Sequence, residues 1–169
     1  MRLLGRRERP PAEALTRLDP DEQMVSWATA ADGGAVLATR LGLWLPAAAE
    51  RIPWHLVDKA TWREGTLTVV AARDSGDGVL AELPPRSVRI AVPRDLPPTV
   101  RARVERTIAS TRHYRLPGGG GVRVVGRRVP GRDGLSWQLV FDRGVDRDDP
   151  AVRGAAAELV RQSRSLFGP

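Results

Sequence analysis

Residues 51–62, RIPWHLVDKATW, place two tryptophans, a histidine, an aspartate and the only lysine of the chain within twelve positions. A histidine near an aspartate could act as a general base, and Asp74-Ser75-Gly76 could supply a serine nucleophile for acyl transfer. Such a triad is defined by geometry, and three common residues in loops occur together by chance. We favour a solvated bend at His55 and Asp58, and we predict that the protein is not an enzyme.

Carboxylates that could hold a metal ion occur in two loops. Asp74, Ser75 and Asp77 resemble the start of a calcium loop, but Pro85 stands where the bidentate glutamate is needed. A second, acidic loop contains Asp142, Asp146, Asp148 and Asp149. These side chains could bind a hard cation, or they could cap the last helix and pair with neighbouring arginines, which we favour. With two histidines and no cysteine, the sequence predicts neither a metal centre nor a cofactor.

Positive charge is concentrated between residues 101 and 132. This segment contains nine arginines and one acidic residue, which gives a local net charge of +8. Guanidinium groups match phosphate oxygens, so this segment could bind a polyanion or an acidic partner. The candidate binding residues are Arg101, Arg112, Arg115, Arg123, Arg127 and Arg128. Alternatively, the segment is a solvated cationic face enlarged by GC-rich codon usage. Arg127 and Arg128 are adjacent on a predicted strand, so at most one of them can point inward.

The composition is that of a globular chain, with 41% hydrophobic and 28% charged residues among 169. The N-terminal sequence MRLLGRRERPP lacks the apolar run of a signal peptide. No later run approaches the ~20 apolar residues of a membrane span. We therefore expect a soluble, cytoplasmic protein that does not insert into a membrane.

Short apolar runs separated by turn residues predict an antiparallel sheet or barrel between residues 23 and 93. The predicted strands lie near 23–31, 35–39, 42–46, 51–54, 59–63, 66–72, 78–82 and 87–92. Trp54 and Trp62 fall in this pattern and are predicted to be core residues. A helix is predicted over 97–111, followed by a hairpin of 122–129 with 135–141. A last helix begins at Asp149 and Pro150, with an apolar seam of Val152, Ala156, Leu159 and Leu166.

Two motifs carry a resemblance to a known family. VLATRLGLWL (36–45) is similar to the threonine, basic, leucine strand pair of bacterial pleckstrin-homology-like domains, and RIPWHLVDKATWREGTLTV (51–69) is similar to their bend and following strand. The chain thus resembles uncharacterised proteins of high-GC Gram-positive bacteria. The resemblance implies a bent antiparallel β-barrel capped by the 97–111 helix. Phosphoinositide-binding members carry basic residues in the first hairpin loop, whereas here that loop is the short, acidic Asp32-Gly33-Gly34.

Together these features predict an α+β protein, mainly β, with a C-terminal β-hairpin and helix added to the barrel. The predicted organisation is a basic arm and short helix (1–20), a pleckstrin-homology-like domain (21–112), a glycine-rich linker (113–121) and a ββα extension (122–169). The favoured function is a non-catalytic binding or adaptor module that engages a protein partner. The alternative is a factor that binds RNA or DNA phosphates through 101–132. The sequence leaves the oligomeric state open.

Overall fold

The computed structural model of the chain describes residues 9–167. Its helices are α1 (Ala12–Leu15), α2 (Leu96–Thr107) and α3 (Pro150–Phe167). Its strands are β1 (Met24–Thr29), β2 (Ala35–Thr39), β3 (Gly42–Trp44), β4 (Ile52–Pro53), β5 (Val57–Arg63), β6 (Thr66–Asp74), β7 (Leu80–Glu82), β8 (Arg86–Arg89), β9 (Ile108–Arg115), β10 (Gly121–Arg127) and β11 (Ser136–Phe141). A single 3-10 turn, Trp54–Leu56, joins β4 to β5. The first eight residues of the predicted basic arm lie outside the described residues.

The strands form three antiparallel sheets. The first has the order β1-β2-β3-β4, the second the order β5-β6-β7 with β8 also paired to β6, and the third the order β11-β10-β9. An isolated bridge between Ala30 and Ile90 joins the end of the first sheet to the second. The mainly β, α+β class is confirmed. The strands described here do not close into a barrel.

One hydrophobic core lies between the first two sheets and α2. It contains side chains from both sheets, and α2 contributes Leu96, Val100 and Val104. Trp54 lies at the centre of this core and is 1% exposed. It donates its indole N–H to the Thr39 carbonyl at 3.0 Å. Trp62 is only partly buried and packs against the edge of this core. The prediction of a core residue is therefore confirmed for Trp54, whereas Trp62 lies at the border of the core.

The threonine, basic, leucine motif forms the turn between β2 and β3. The Thr39 hydroxyl oxygen accepts hydrogen bonds from the N–H groups of Leu41 and Gly42, both at 3.1 Å. A Cβ atom at Gly42 would lie 2.3 Å from the Ile52 carbonyl oxygen. The motif therefore encodes a tight turn that brings β4 against β3, which explains its residue types without a ligand.

Helix α2 ends at Thr107, four residues earlier than predicted, and the chain continues directly into β9. Ile108 has extended backbone dihedral angles and lies opposite Arg127 of β10. β-branched residues such as Ile108 and Thr111 favour strands, and β10 supplies the pairing partner that the local sequence does not reveal. The predicted linker is also different, because residues 113–115 belong to β9. Residues 116–120 form the hairpin turn, closed by the Leu116 N–H to Gly120 carbonyl bond of 3.1 Å.

A second core lies between the third sheet and α3. Val152 and Ala156 are buried in it as predicted, Leu159 packs at its border, and Leu166 is 67% exposed. The predicted seam is therefore wrong at its C-terminal end. The Asp149 carboxylate accepts the Ala151 N–H at 2.8 Å. This bond confirms the predicted helix cap.

The C-terminal unit, β9 to α3, is docked on the first unit. Leu139 of β11 donates its N–H to the Gly78 carbonyl at 2.9 Å, and Val79 forms a parallel bridge with Leu139. A third cluster of buried residues, Ala72, Leu80 and Val140, fills the contact. A Cβ atom at Gly78 would lie 2.5 Å from the Trp137 carbonyl oxygen. Only glycine therefore permits this approach of the two units.

Candidate functional site

A groove of about 640 Å³ lies between strand β5 and helix α2, and we call it the β5 groove. Five consecutive residues of β5, from Asp58 to Trp62, line it. Alternate residues of a strand point to opposite faces, so a run of five in one groove means that the strand presents its edge to it. The floor is apolar and consists of Trp62, Leu67, Val100 and Val104.

The edge of β5 that faces the groove carries unpaired backbone groups. Strand β5 pairs with β6 alone, through a two-residue turn in which Glu64 and Gly65 both have positive φ. In such a type I′ turn, the residues that flank it, Arg63 and Thr66, form a hydrogen-bonded pair. Hydrogen-bonded and non-hydrogen-bonded pairs then alternate along the two strands, so the pairs that contain Trp62 and Ala60 are not hydrogen-bonded. Ala60 and Trp62 therefore direct their N–H and C=O groups away from β6. Within residues 9–167, neither residue makes a backbone hydrogen bond to α2.

The rim of the β5 groove is charged. Lys59 is exposed and forms no ion pair with a residue in the described range. On the α2 side, Arg101 donates from Nε to the Glu105 carboxylate at 2.7 Å. Glu105 already faces an arginine, whereas Lys59 acts on the Glu82 carboxylate without forming an ion pair with it, so the Lys59 ammonium group can still pair with an acidic group of a partner.

A β-bulge at one end of the groove redirects Asp58. The register of β5 against β6 shifts between Val57 and Lys59, and the side chain of Asp58 is 7% exposed. Its carboxylate accepts a hydrogen bond from Arg123 of β10 at 2.6 Å. Burial, and next the Asp58 carboxylate, raise the pKa of the adjacent Glu82 above its ordinary value. The ion pair between Asp58 and Arg123 therefore joins β5 to the C-terminal unit, and the Asp58 carboxylate already has a partner within the protein.

The candidate Arg127 lies in the interior of the protein. It is 2% exposed, and its guanidinium donates to the Thr107 hydroxyl at 2.6 Å and to the Val57 carbonyl at 3.2 Å. Burial lowers the pKa of Arg127. Arg128 is exposed, so the expectation that one of the two points inward is confirmed. Arg127 joins the two units and cannot contact an external polyanion.

The other candidate arginines do not form one surface. Arg101 lies on α2 at the β5 groove, and Arg123 is paired with Asp58. Arg112 and Arg115 are exposed on β9, but residues three apart on a strand point to opposite faces of the sheet. The sequence did not reveal that these arginines lie on different faces. A local net charge sums residues along the chain, whereas a binding face depends on the direction in which each side chain points.

The histidine, aspartate and serine of the catalytic interpretation are not assembled. The buried Nδ1 atom of His55 has no hydrogen-bond partner in the described structure, and Asp58 is bonded to Arg123. The Ser75 hydroxyl donates to the Val79 carbonyl at 3.0 Å. The acidic loop is similarly dispersed, since Asp142 bonds His113. Within residues 9–167, no three histidine or carboxylate groups are placed to share a metal ion.

His55 gives the protein a pH-dependent component of stability. Burial, and next Arg127 and Arg132, lower the pKa of His55 below its ordinary value of 6.5. The unfolded chain then takes up a proton more readily than the folded chain, so this contribution is complete above pH 6.5 and is lost as the pH falls toward the folded pKa. We expect wild type to lose more stability than His55→Gln between about pH 7.5 and 5.5, as measured by urea unfolding. Equal losses in both proteins would contradict this assignment.

Comparisons with known proteins identified no relative. No protein-family model, no curated protein and no solved structure matches the chain significantly. Among the helices of residues 9–167, none combines the length and the apolar character needed to cross a membrane.

Proposed function

We propose that the protein is a non-catalytic binding module that holds an extended segment of a protein partner in the β5 groove. The observation that carries the proposal is the open edge of β5, where Ala60 and Trp62 direct their backbone groups into a groove with an apolar floor. An added strand would satisfy these groups through main-chain hydrogen bonds, which supply affinity in this mode of recognition. The side chains of the added strand would supply specificity.

The groove favours a segment of mixed chemistry. An apolar side chain of the partner can cover Trp62 and Pro98, which line the groove and are not buried, and each fully buried leucine-sized side chain contributes roughly 1.5–3 kcal/mol. An acidic side chain can approach Lys59, whose ammonium group has no ion-pair partner in the described part of the chain. The proposed ligand is therefore an extended apolar segment with at least one acidic residue.

A proline at position 60 tests the proposal. Ala60→Pro removes one N–H that points into the groove and leaves the hydrogen bonds between β5 and β6 intact, as tolerated on edge strands. We expect wild-type protein to retain a protein partner from a nuclease-treated extract of the native cell, and Ala60→Pro to lose it by about tenfold or more. In the wild-type complex, hydrogen exchange of the Ala60 and Trp62 amides should be slowed.

Ala60→Val is the matched control, because it adds bulk similar to proline and keeps the N–H. It should retain the partner. Equal retention by wild type and Ala60→Pro, with both folded by circular dichroism, would contradict the β5 groove. Retention abolished by nuclease would instead support the alternative, nucleic-acid association through exposed arginines of 101–132. In that case the affinity should fall with salt by roughly 0.9 log units per log unit of salt for each duplex phosphate contact.

A further inference from the structure

A second groove, of about 840 Å³, lies between helix α3 and the turn that joins β6 to β7. We call it the α3 groove. Its floor is apolar and consists of Val79, Leu139, Phe141, Ala156 and Val160. It is separate from the β5 groove, because the two share no lining residue.

The rim of the α3 groove is predominantly cationic. Four arginines and two aspartates line it: Arg147, Arg153, Arg161 and Arg164 with Asp77 and Asp148. Arg161 is paired with Glu158, whereas the other three arginines form no ion pair with a residue of the described chain. All three are exposed. The rim therefore offers guanidinium groups whose positive charge is not neutralised within the protein.

These charges are spread along the groove. Arg153 and Arg164 are eleven positions apart on α3, which corresponds to about 16 Å along the helix axis. A fatty acid or a phospholipid carries its charge at one end, and a nucleic acid has no continuous apolar face to cover the floor. A polypeptide with acidic side chains beside an apolar stripe matches both the spacing of the arginines and the floor.

The walls of the α3 groove present mainly side chains. On the edge of β11, Phe141 is the one lining residue that directs its backbone groups away from β10 without a hydrogen bond in the described structure. The N–H of Leu139 already donates to Gly78, and the backbone of α3 is bonded within its own helix. A peptide lying on an apolar floor must satisfy its own backbone groups. An α-helix does so internally, whereas an extended segment needs a strand edge.

We propose that the α3 groove binds an acidic amphipathic helix of a protein partner. Its apolar residues, recurring every three or four positions, would cover Val79, Phe141 and Val160, which are only partly buried. Glutamate or aspartate residues beside that stripe would pair with Arg153 and Arg164. This is a second binding site, chemically different from the β5 groove, since it recognises mainly side chains and charge, and its strand edge is open at a single residue, Phe141.

A peptide selection tests the proposal. The probe is a phage-displayed library of helix-forming peptides of about 14 residues, long enough to span the groove, with a fixed leucine stripe and flanking positions varied among Glu, Gln and Lys. We expect selection on the wild-type protein to enrich Glu. We also expect Arg153→Glu combined with Arg164→Glu to weaken the selected peptides by about tenfold or more, because both charge pairs become repulsive.

Three comparisons complete the test. Arg86→Glu with Arg89→Glu makes the same charge change on β8, outside both grooves, and should leave binding unchanged. Ala60→Pro should also leave it unchanged, which separates the two binding proposals. Selection without preference for Glu over Lys, or equal binding by the Arg153/Arg164 variant, would overturn the α3 groove proposal. So would tighter binding of a single-stranded oligonucleotide or an anionic phosphatidylglycerol vesicle that depends on the same two arginines.

Discussion

Trp54→Ala should destabilise the protein by ~3–5 kcal/mol, the range for truncating a buried aromatic side chain. Trp54 is 1% exposed and lies between the first two sheets, so its removal leaves a cavity that the surrounding strands cannot fill. The Thr39 carbonyl also loses the indole N–H that bonds it at 3.0 Å. Chemical unfolding followed by far-ultraviolet circular dichroism measures the change.

Trp62→Ala is the comparison, since Trp62 is of the same size but is partly buried at the border of the core. We expect it to cost less than Trp54→Ala and to weaken partner binding in the β5 groove, whose floor it forms. A Trp54→Ala protein as stable as wild type would show that Trp54 does not hold the sheets together.

Glu22→Ala should destabilise the protein by roughly 1–3 kcal/mol, because it removes the acceptor from a buried hydrogen-bond network. The Glu22 side chain is fully buried and forms an ion pair with Arg51 at 2.9 Å. Its carboxylate also accepts hydrogen bonds from the Thr39 hydroxyl at 2.5 Å and from the Trp44 indole N–H at 3.2 Å. In the variant the buried Trp44 N–H loses its acceptor, which is costly. In contrast, Arg51 keeps Asp19 at 3.0 Å, and the Thr39 hydroxyl keeps the Gly42 carbonyl at 3.2 Å.

Glu22→Gln separates charge from hydrogen bonding. Glutamine keeps a carbonyl acceptor for Thr39 and Trp44 but loses the negative charge that faces Arg51. We expect the free energy of unfolding of Glu22→Gln to lie between those of wild type and Glu22→Ala, as measured by urea unfolding at neutral pH. A Glu22→Ala loss below about 1 kcal/mol, the value of an exposed ion pair, would show that the network is not structurally important.

The two proposed binding sites make different demands on a partner. The β5 groove offers unpaired backbone groups at Ala60 and Trp62, and so favours an extended segment. The α3 groove offers arginine side chains around an apolar floor, and so favours a helix. The α3 groove can be tested by substituting exposed arginines, whereas Ala60 packs against the core, so the β5 groove needs the matched Ala60→Val control and a check of folding.

Local sequence patterns predicted most of the elements in the first unit. Apolar alternation and turn glycines placed the strands from β1 to β8 within a few residues of their positions. The Asp149 cap and the burial of Val152 and Ala156 followed in the same way. These features depend on residues at most a few positions apart, so the sequence alone determines them.

Tertiary structure decided the features on which the two proposed binding sites depend. Residues 108–111 continue a helical pattern locally but become part of β9 because β10 pairs with them. Arg127, one of several similar arginines in sequence, is buried because it bonds the Val57 carbonyl, seventy residues away. The open edge of β5 and the cationic rim along α3 likewise depend on which elements pack together. The physical reason is that burial, strand pairing and side-chain direction are set by long-range contacts, which a local pattern of residue types does not specify.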